Sequence, residues 1–260
     1  MNVISFPALG IKFNIDPIAI HYKNGGGIYW YGIIIGLGIV LAVLYCRHLA
    51  KMENENKDLI TDLVIYALPV SVIFARTYYV AFSWENYKDN LIDVFKIWEG
   101  GIAIYGAIIG AVLTAWIFFR IKKVNVLKMF DICSLGLLIG QMVGRWGNFV
   151  NAEAYGGPCA FPWGMSINGG KCVHPTFLYE SLWNFIGFLI LSKLNKKRPF
   201  YGFTFYLYIV WYGTGRFFIE GMRTDSLYLG GIRISQMVGL ICVVVGAIVL
   251  IVNLKKRRRL

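Results

Sequence analysis

The sequence predicts an all-α polytopic membrane protein with seven transmembrane helices, its N-terminus outside and its C-terminus in the cytoplasm. Of its 260 residues, 57% are hydrophobic and 15% charged, and the mean hydropathy is +0.59, whereas soluble domains carry about 25% charge. The apolar residues come in runs of about 20, the length that crosses a hydrocarbon layer of about 30 Å. These features exclude soluble, nucleic-acid-binding and disordered proteins.

Seven segments have the length and hydropathy of a spanning helix: 28–46, 59–82, 102–121, 130–149, 177–192, 203–220 and 234–253. A β-barrel would need alternating segments of about 10 residues, which are absent from the sequence, and an open sheet leaves its backbone unsatisfied in lipid. We therefore expect one integral membrane domain over 1–260, with an external arm at 1–27, an external loop at 150–176 and a basic cytoplasmic tail at 254–260.

The distribution of positive charge predicts the orientation. The first, third and fifth connections and the C-terminal tail hold 16 Lys and Arg residues, against 7 in the N-terminal arm and the other connections. Because basic connections stay in the cytoplasm, the N-terminus is predicted outside. Nucleic-acid binding by the Lys-Lys-Arg-Arg-Arg tail is the alternative, but the whole composition favours membrane lipid as the partner and no nucleic acid.

Arg76, Arg145 and Arg216 lie inside predicted spans, where a charged side chain costs at least about 2.5 kcal/mol unless it meets an anion or water. In the predicted orientation all three fall near the outer ends of their helices. Snorkelling to the headgroups, or pairing with Glu153 or Glu220, would explain any one of them. Three in one leaflet favour a shared anionic ligand.

Glycine makes up 29 residues, many of them at the four-residue spacing that lets helices approach closely. Close packing is the simpler explanation for this glycine spacing, and a ligand role is the alternative.

Cys159 and Cys172 both lie in the predicted external loop, where a disulfide between them is a reasonable hypothesis. The three histidines, His21, His48 and His174, are scattered along the sequence without Cys or His at metal-ligand spacing, so we expect no metal site.

The fourth span continues into Gly144-Arg145-Trp146-Gly147-Asn148-Phe149-Val150-Asn151-Ala152-Glu153-Ala154-Tyr155-Gly156. This string resembles the G-R-x-G-N-F-x-N-x-E-x-x-G signature of the prolipoprotein diacylglyceryl transferases, enzymes of the bacterial inner membrane. Further segments agree in order along nearly the whole chain: Trp30-Tyr31-Gly32, Trp98-Glu99-Gly100-Gly101, His174-Pro175-Thr176, Tyr179-Glu180, and Tyr212 to Glu220 with Arg223.

The resemblance implies transfer of the diacylglyceryl group of phosphatidylglycerol to the lipobox cysteine of a lipoprotein precursor, with the signal peptide of that precursor as a partner and no cofactor. Fixed guanidinium groups would stabilise the charge that develops on the departing phosphate. The resemblance assigns that role to Arg145 and Arg216. It adds a set of substrate-binding residues: Tyr31, Arg76, Asn148, Asn151, Glu153, Gly156, Tyr212 and Glu220. Placement in the aromatic belt is the alternative for the two tyrosines.

One position departs from the family. Many members carry a histidine, a candidate general base, where this chain has Tyr105. A cysteine thiol of pKa about 8.5 is already a few per cent ionised near neutrality, so base catalysis is a modest contribution. Tyr105 and His174 are the two candidate bases. The alternative role for His174 is to shape its turn before Pro175, and the alternative for Arg76 is an ion pair with Glu180 or Glu99 instead of a contact with a headgroup.

Two other functions stay open on the sequence. A transporter or receptor would place charged residues near the middle of the membrane, along a path through the protein. A lipid-binding scaffold would keep the arginines without the chemistry. Here the buried charges gather at one face, which favours the transferase.

Overall fold

The structure, a computed structural model, describes residues 1–23 and 26–258. Within them lie seven long helices: α1 (Trp30–Met52), α2 (Asp58–Phe82), α3 (Ile104–Ile121), α4 (Val126–Asn151), α5 (Thr176–Asn195), α6 (Phe203–Met222) and α7 (Ile234–Arg258). Each predicted span coincides with one of these helices. Residues 259 and 260 of the predicted basic tail lie outside the described part of the chain.

Five of these helices, all but α5 and α6, are long and apolar enough to cross a membrane among the residues described. Their apolar side chains are largely exposed, as expected for surfaces in contact with lipid; in α1 and α7 only 17% of the most apolar window is buried. Buried polar side chains, including Glu180, Asn184 and Glu220, lower the mean hydropathy of α5 and α6. The protein is therefore a mostly helical, polytopic membrane protein.

The expectation of an all-helical chain is wrong in the N-terminal arm. The arm forms strands β1 (Asn2–Phe6), β2 (Ile11–Ile15), β3 (Ile18–His21) and β4 (Gly27–Tyr29), and later segments add β5 (Ser166–Ile167), β6 (Tyr228–Leu229) and β7 (Ile232–Arg233). In the part of the chain described, β1 pairs antiparallel with both β2 and β5, β3 pairs with β4, and β6 pairs with β7. The second connection forms short 3-10 turns.

Strand β1 is held to the helices by its middle side chain. Ile4 is fully buried and packs with Phe149 at the end of α4, Met165 in the following loop and Phe177 at the start of α5. The amide of Asn2 donates to the carbonyl of Val150 at 2.9 Å. These contacts fasten the arm to the loop that follows α4.

The chain falls into two compact units, and the single integral membrane domain stays a prediction. The first unit contains Met1–Tyr45 and Phe130–Leu260, and the second contains Cys46–Met129. In the second unit α2 and α3 pack closely, since the absence of a side chain at Gly106 leaves room for the backbone of Phe74. A Cβ at Gly106 would lie 2.4 Å from the carbonyl oxygen of Phe74. The glycine spacing of α3 is thus a packing feature.

In the first unit a buried carboxylate on α4 caps α6. Asp131 is fully buried and accepts the backbone N–H groups of Gly202 at 2.8 Å and Phe205 at 2.9 Å. These N–H groups have no partner within their own helix, so the carboxylate satisfies them and suits the positive end of the helix dipole.

Candidate active site

Three arginines and two glutamates on or next to α4, α5 and α6 form what we call the arginine cluster. It consists of Arg145, Glu180, Arg216, Glu220 and Arg223. Glu180 lies at its centre: its carboxylate oxygens are 2.5 Å from Arg145 Nη2, 3.7 Å from Arg216 Nη1 and 3.8 Å from Arg223 Nη1. Arg145 and Arg216 are therefore brought together through one shared carboxylate.

Glu220 holds the other side of the cluster. Its Oε2 is 2.8 Å from Arg216 Nη2, one helical turn earlier on α6, and 3.9 Å from Arg223 Nε. Glu180 and Glu220 are 6% and 2% exposed, whereas the side chains of Arg145 and Arg216 remain 23% and 18% exposed. The carboxylates are thus buried behind the guanidinium groups, which retain access to a ligand.

Three cations facing two buried carboxylates leave one positive charge in excess. At the edge of the cluster Arg223 donates to both carboxylate oxygens of Asp225, at 2.9 and 2.7 Å. These bonds hold the pKa of Asp225 below its ordinary value, against the smaller effect of partial burial, which raises it. Asp225 is half exposed, so the excess charge is balanced only at the solvent side.

Asn148 and Glu153 extend the cluster along the end of α4. The Oδ1 of Asn148 accepts from Arg145 Nη1 at 3.2 Å, and its amide nitrogen donates to Glu153 Oε1 at 2.9 Å. Glu153 thus reaches Arg145 through Asn148, whereas Glu220 contacts Arg216 directly. Asn151 is the last residue of α4.

The chain turns sharply after α4. Ala152 and Ala154, on either side of Glu153, have φ of +53° and +56°. A side chain in this left-handed region costs on the order of 1 kcal/mol or more, and such strain tends to persist at functional sites. The turn carries Glu153 back to the amide of Asn148.

Gly156 and His174 close this loop on the cluster. The N–H of Gly156 donates to the carbonyl of His174 at 2.9 Å, and Gly156 forms an antiparallel bridge with Arg223. A Cβ at Gly156 would lie 2.7 Å from the Cβ of His174 and 2.9 Å from the carbonyl oxygen of Met222. Glycine is thus required sterically here, beside the backbone of Arg223.

The imidazole of His174 points to a different neighbour. Its Nδ1 is 3.1 Å from the hydroxyl of Tyr179. The same hydroxyl oxygen accepts a hydrogen bond from the indole N–H of Trp163 at 2.8 Å. The backbone of His174 is therefore linked to the cluster through Gly156. Its imidazole ring instead contacts an aromatic pair, Tyr179 on α5 and Trp163 in the preceding loop.

Tyr31 and Tyr212 lie beside the helices that carry the arginines. Tyr31, on α1, packs on Gly147 of α4, where an added Cβ would be 2.8 Å from the ring. Tyr212 stands one turn before Arg216 on α6 and stacks on Tyr208, with ring centroids 6.0 Å apart.

Arg76 and Tyr105 belong to the second unit. Arg76 is buried, and its N–H groups donate to carbonyls rather than to a carboxylate. The acceptors are those of Asp93, Val94, Lys96, Gly100 and Gly101, at 2.6 to 3.4 Å. Because a guanidinium has five N–H donors, these five contacts engage its whole capacity. Arg76 therefore holds the segment that leads into α3, on whose first turn Tyr105 lies.

The pairing of Arg76 with Glu99 that the sequence left open is thus replaced by carbonyl contacts.

Cys159 and Cys172 are free thiols in the structure, with the N–H of Cys159 donating to the carbonyl of Cys172 at 2.9 Å. Their disulfide stays a prediction.

Sequence reasoning missed Glu180 and Arg223 as site residues. Glu180 was visible as a carboxylate inside an apolar helix, which by itself marks a functional position in a membrane protein. Arg223 follows the last residue of α6 and was counted as an external basic residue, since nothing local predicts its return toward Glu180.

Comparisons with known proteins show which proteins the chain is similar to. A sequence model described as prolipoprotein diacylglyceryl transferase matches residues 17–252. A protein of Listeria innocua serovar 6a is 47% identical over 241 residues, covering 88% of this chain and 87% of its own. Proteins of Finegoldia magna and Lysinibacillus sphaericus are each 47% identical, over 234 and 250 residues, covering 90% and 91% of this chain and 94% and 91% of their own. All three are named phosphatidylglycerol–prolipoprotein diacylglyceryl transferase.

Proposed function

The chain belongs to the prolipoprotein diacylglyceryl transferase family, and we propose that its arginine cluster holds the phosphate of phosphatidylglycerol while the diacylglyceryl group leaves it. The protein transfers the diacylglyceryl group of phosphatidylglycerol to the lipobox cysteine of lipoprotein precursors, an early step of lipoprotein maturation in bacteria. The sharing of Glu180 by Arg145 and Arg216 is the observation that supports this use of the cluster.

The reaction forms one bond and breaks one. The cysteine sulfur attacks the glycerol carbon that bears the phosphate, a C–S bond forms, and the C–O bond breaks with its electron pair going to the phosphate oxygen. The phosphodiester carries one negative charge, and the departing glycerol phosphate carries two until it takes up a proton equivalent to the one lost by the thiol. The gain of charge on the phosphate is therefore the event that the site must stabilise.

Arg145 and Arg216 fit this task. Their side chains are mostly buried, so their interaction with an anion is screened less than in water. Glu180 fixes both guanidinium groups before the phosphate arrives, which avoids reorganisation during the reaction. Loss of one well-placed donor of this kind typically costs about 3 to 4 kcal/mol in the barrier.

The remaining residues have supporting roles in this proposal. Asn148, Glu153 and Glu220 orient the two arginines, and Arg223 completes the positive wall. Gly156 permits the loop to close, with Asn151 and His174 at its two ends. Tyr31 and Tyr212 line the approach of the lipid, Arg76 holds the segment before α3, and Tyr105 or His174 is the candidate acceptor of the thiol proton.

We place the protein in the bacterial cytoplasmic membrane with seven spans, the N-terminus outside and the arginine cluster toward the outer leaflet. The alternating basic connections support this orientation. The polar side chains that lower the hydropathy of α5 and α6 include members of the cluster, which supports counting both helices as spans. A headgroup in the outer leaflet and the signal peptide of the precursor would both reach the cluster sideways, between helices.

One assay separates this activity from transport and from lipid binding. Purified protein is incubated with phosphatidylglycerol vesicles and a peptide containing a signal segment and lipobox, and glycerol phosphate is measured. We expect release only when peptide cysteine and phosphatidylglycerol are both present, with none when the peptide carries serine or the vesicles contain only phosphatidylcholine. Lipid binding without release would contradict the proposal and favour a scaffold.

A further inference from the structure

Helices α5 and α6 are joined by a reciprocal contact of two indoles. Trp183 on α5 donates from Nε1 to the carbonyl of Trp211 at 3.0 Å, and Trp211 on α6 donates from Nε1 to the carbonyl of Trp183 at 3.1 Å. The two rings stack with centroids 4.4 Å apart and an interplanar angle of 22°. We call this arrangement the tryptophan clamp.

Each indole lies on a glycine of the opposite helix. A Cβ at Gly215 would come within 2.3 Å of Nε1 of Trp183, and a Cβ at Gly187 would come within 2.3 Å of Nε1 of Trp211. In an α-helix the carbonyl of residue i accepts the N–H of residue i+4. The glycine four residues after each tryptophan therefore removes the side chain that would cover that carbonyl, and the carbonyl's second lone pair accepts the facing indole.

This geometry fixes one register between the helices. The same spacing, Trp-x-x-x-Gly, occurs at Trp183 to Gly187 and at Trp211 to Gly215, and the two copies meet head to tail because α5 and α6 run antiparallel. Contact between helices in lipid gains little from the hydrophobic effect, so close approach and hydrogen bonds determine the packing. A shift along the helix axis by one residue would break both indole bonds and place a side chain under each ring.

The clamp lies next to the arginine cluster. Trp183 is level with Gly215, so Glu180, three residues earlier on α5, is level with a point between Arg216 and Glu220. The contact between Glu180 and Arg216 is 3.7 Å. One residue of helix rises about 1.5 Å. A slide of α5 along α6 by even half of this rise would therefore change how Glu180 is shared between Arg145 and Arg216.

We propose that Trp183 and Trp211 are positioning residues that set the register of α5 against α6 and thereby place Glu180 between the two arginines. This inference rests on the proposed use of the cluster and adds to it a part of the site that touches no substrate. The clamp acts on the chemical step through Glu180, and its effect disappears when Glu180 no longer carries a charge.

The test uses Trp183→Phe and Trp211→Phe in the full-length protein. Phenylalanine keeps a ring over the glycine and removes the N–H donor. We expect kcat for glycerol phosphate release to fall about 10-fold in each variant, on a scale where a misplacement of 1 Å costs about 100-fold, with KM for phosphatidylglycerol changed less than 2-fold. Trp116→Phe, which makes the same change at an exposed indole of α3, serves as the matched control and should leave kcat unchanged.

A double-mutant cycle separates positioning from plain stability. In the Glu180→Gln background, Trp183→Phe should cause no further fall in kcat, because interacting residues are not additive. An unchanged kcat in both single variants, an equal fall in the Glu180→Gln background, or a loss explained wholly by less folded protein would each overturn the inference. Failure of the wild-type protein to release glycerol phosphate would instead overturn the proposed function.

Discussion

Replacing Glu180 by glutamine should slow the chemical step without weakening lipid binding. The substitution keeps the size of the side chain and removes one negative charge from the centre of the arginine cluster. The amide can still accept from one arginine, but its NH₂ group then faces the N–H groups of the other. Arg145, now 2.5 Å from one carboxylate oxygen, and Arg216, 3.7 Å from the other, would no longer share a common acceptor.

The size of the effect follows from the contacts. Removing one partner of a fully buried ion pair costs about 3 to 5 kcal/mol, but the guanidinium groups keep 12 to 23% exposure, so we expect a loss of about 1 to 3 kcal/mol in stability. A displacement of a guanidinium by about 1 Å lowers kcat about 100-fold. The excess positive charge of the cluster rises by one, so KM for phosphatidylglycerol should stay the same or fall.

The assay is the steady-state release of glycerol phosphate by folded protein, with phosphatidylglycerol varied at saturating peptide. Glu85→Gln is a matched control, since Glu85 is 80% exposed and pairs only with Lys88 among the contacts described. A wild-type kcat in Glu180→Gln, or a raised KM with kcat unchanged, would refute the idea that Glu180 positions the arginines for the departing phosphate.

Three further predictions concern other parts of the molecule. Tyr105→Phe should retain measurable transfer, whereas Arg145→Ala and Arg216→Ala should each lose 100-fold or more, because base catalysis contributes less here than charge stabilisation; equal losses in all three, at equal protein levels, would contradict this ranking. Gly156→Ala should loosen the loop after α4, since its Cβ would lie 2.7 Å from a neighbouring side chain, and limited proteolysis should then cut that loop faster than in wild type. Asp131→Ala should lower stability by about 1 to 3 kcal/mol, because it leaves the N–H groups of Gly202 and Phe205 without their carboxylate acceptor; thermal unfolding in detergent should show a lower Tm, and an unchanged Tm would contradict the prediction.

The helices could be predicted because hydropathy and helix length are set by the bilayer. Each predicted span coincides with a helix, and the ends differ by a few residues, where polar residues continue the helix beyond the apolar run. The strands of the N-terminal arm could not be predicted in this way. Their pairing depends on Ile4 reaching a hydrophobic cluster made by residues more than 140 positions away, such as Phe149.

The candidate site could be predicted only in part, because some of its residues meet only in the folded chain. A charge inside an apolar span is visible in the sequence, and this led to Arg145 and Arg216. The residues that hold them are known only from tertiary contacts: Glu180 comes from another helix, and Arg223 returns from beyond the end of α6. Arg76 gave the same sequence signal as the other two arginines, yet its partners are carbonyls of an irregular segment, which no pattern of residue types predicts.

The central claim is that Arg145 and Arg216 stabilise the phosphate as it leaves. A single-turnover measurement tests this claim most directly. Protein already loaded with phosphatidylglycerol is mixed with lipobox peptide, and the first release of glycerol phosphate is timed, so that the rate reports the chemical step and not lipid binding. We predict that Arg145→Ala and Arg216→Ala, although loaded and folded, release it at least about 100-fold more slowly than wild type. A first turnover at the wild-type rate in either variant would contradict the claim.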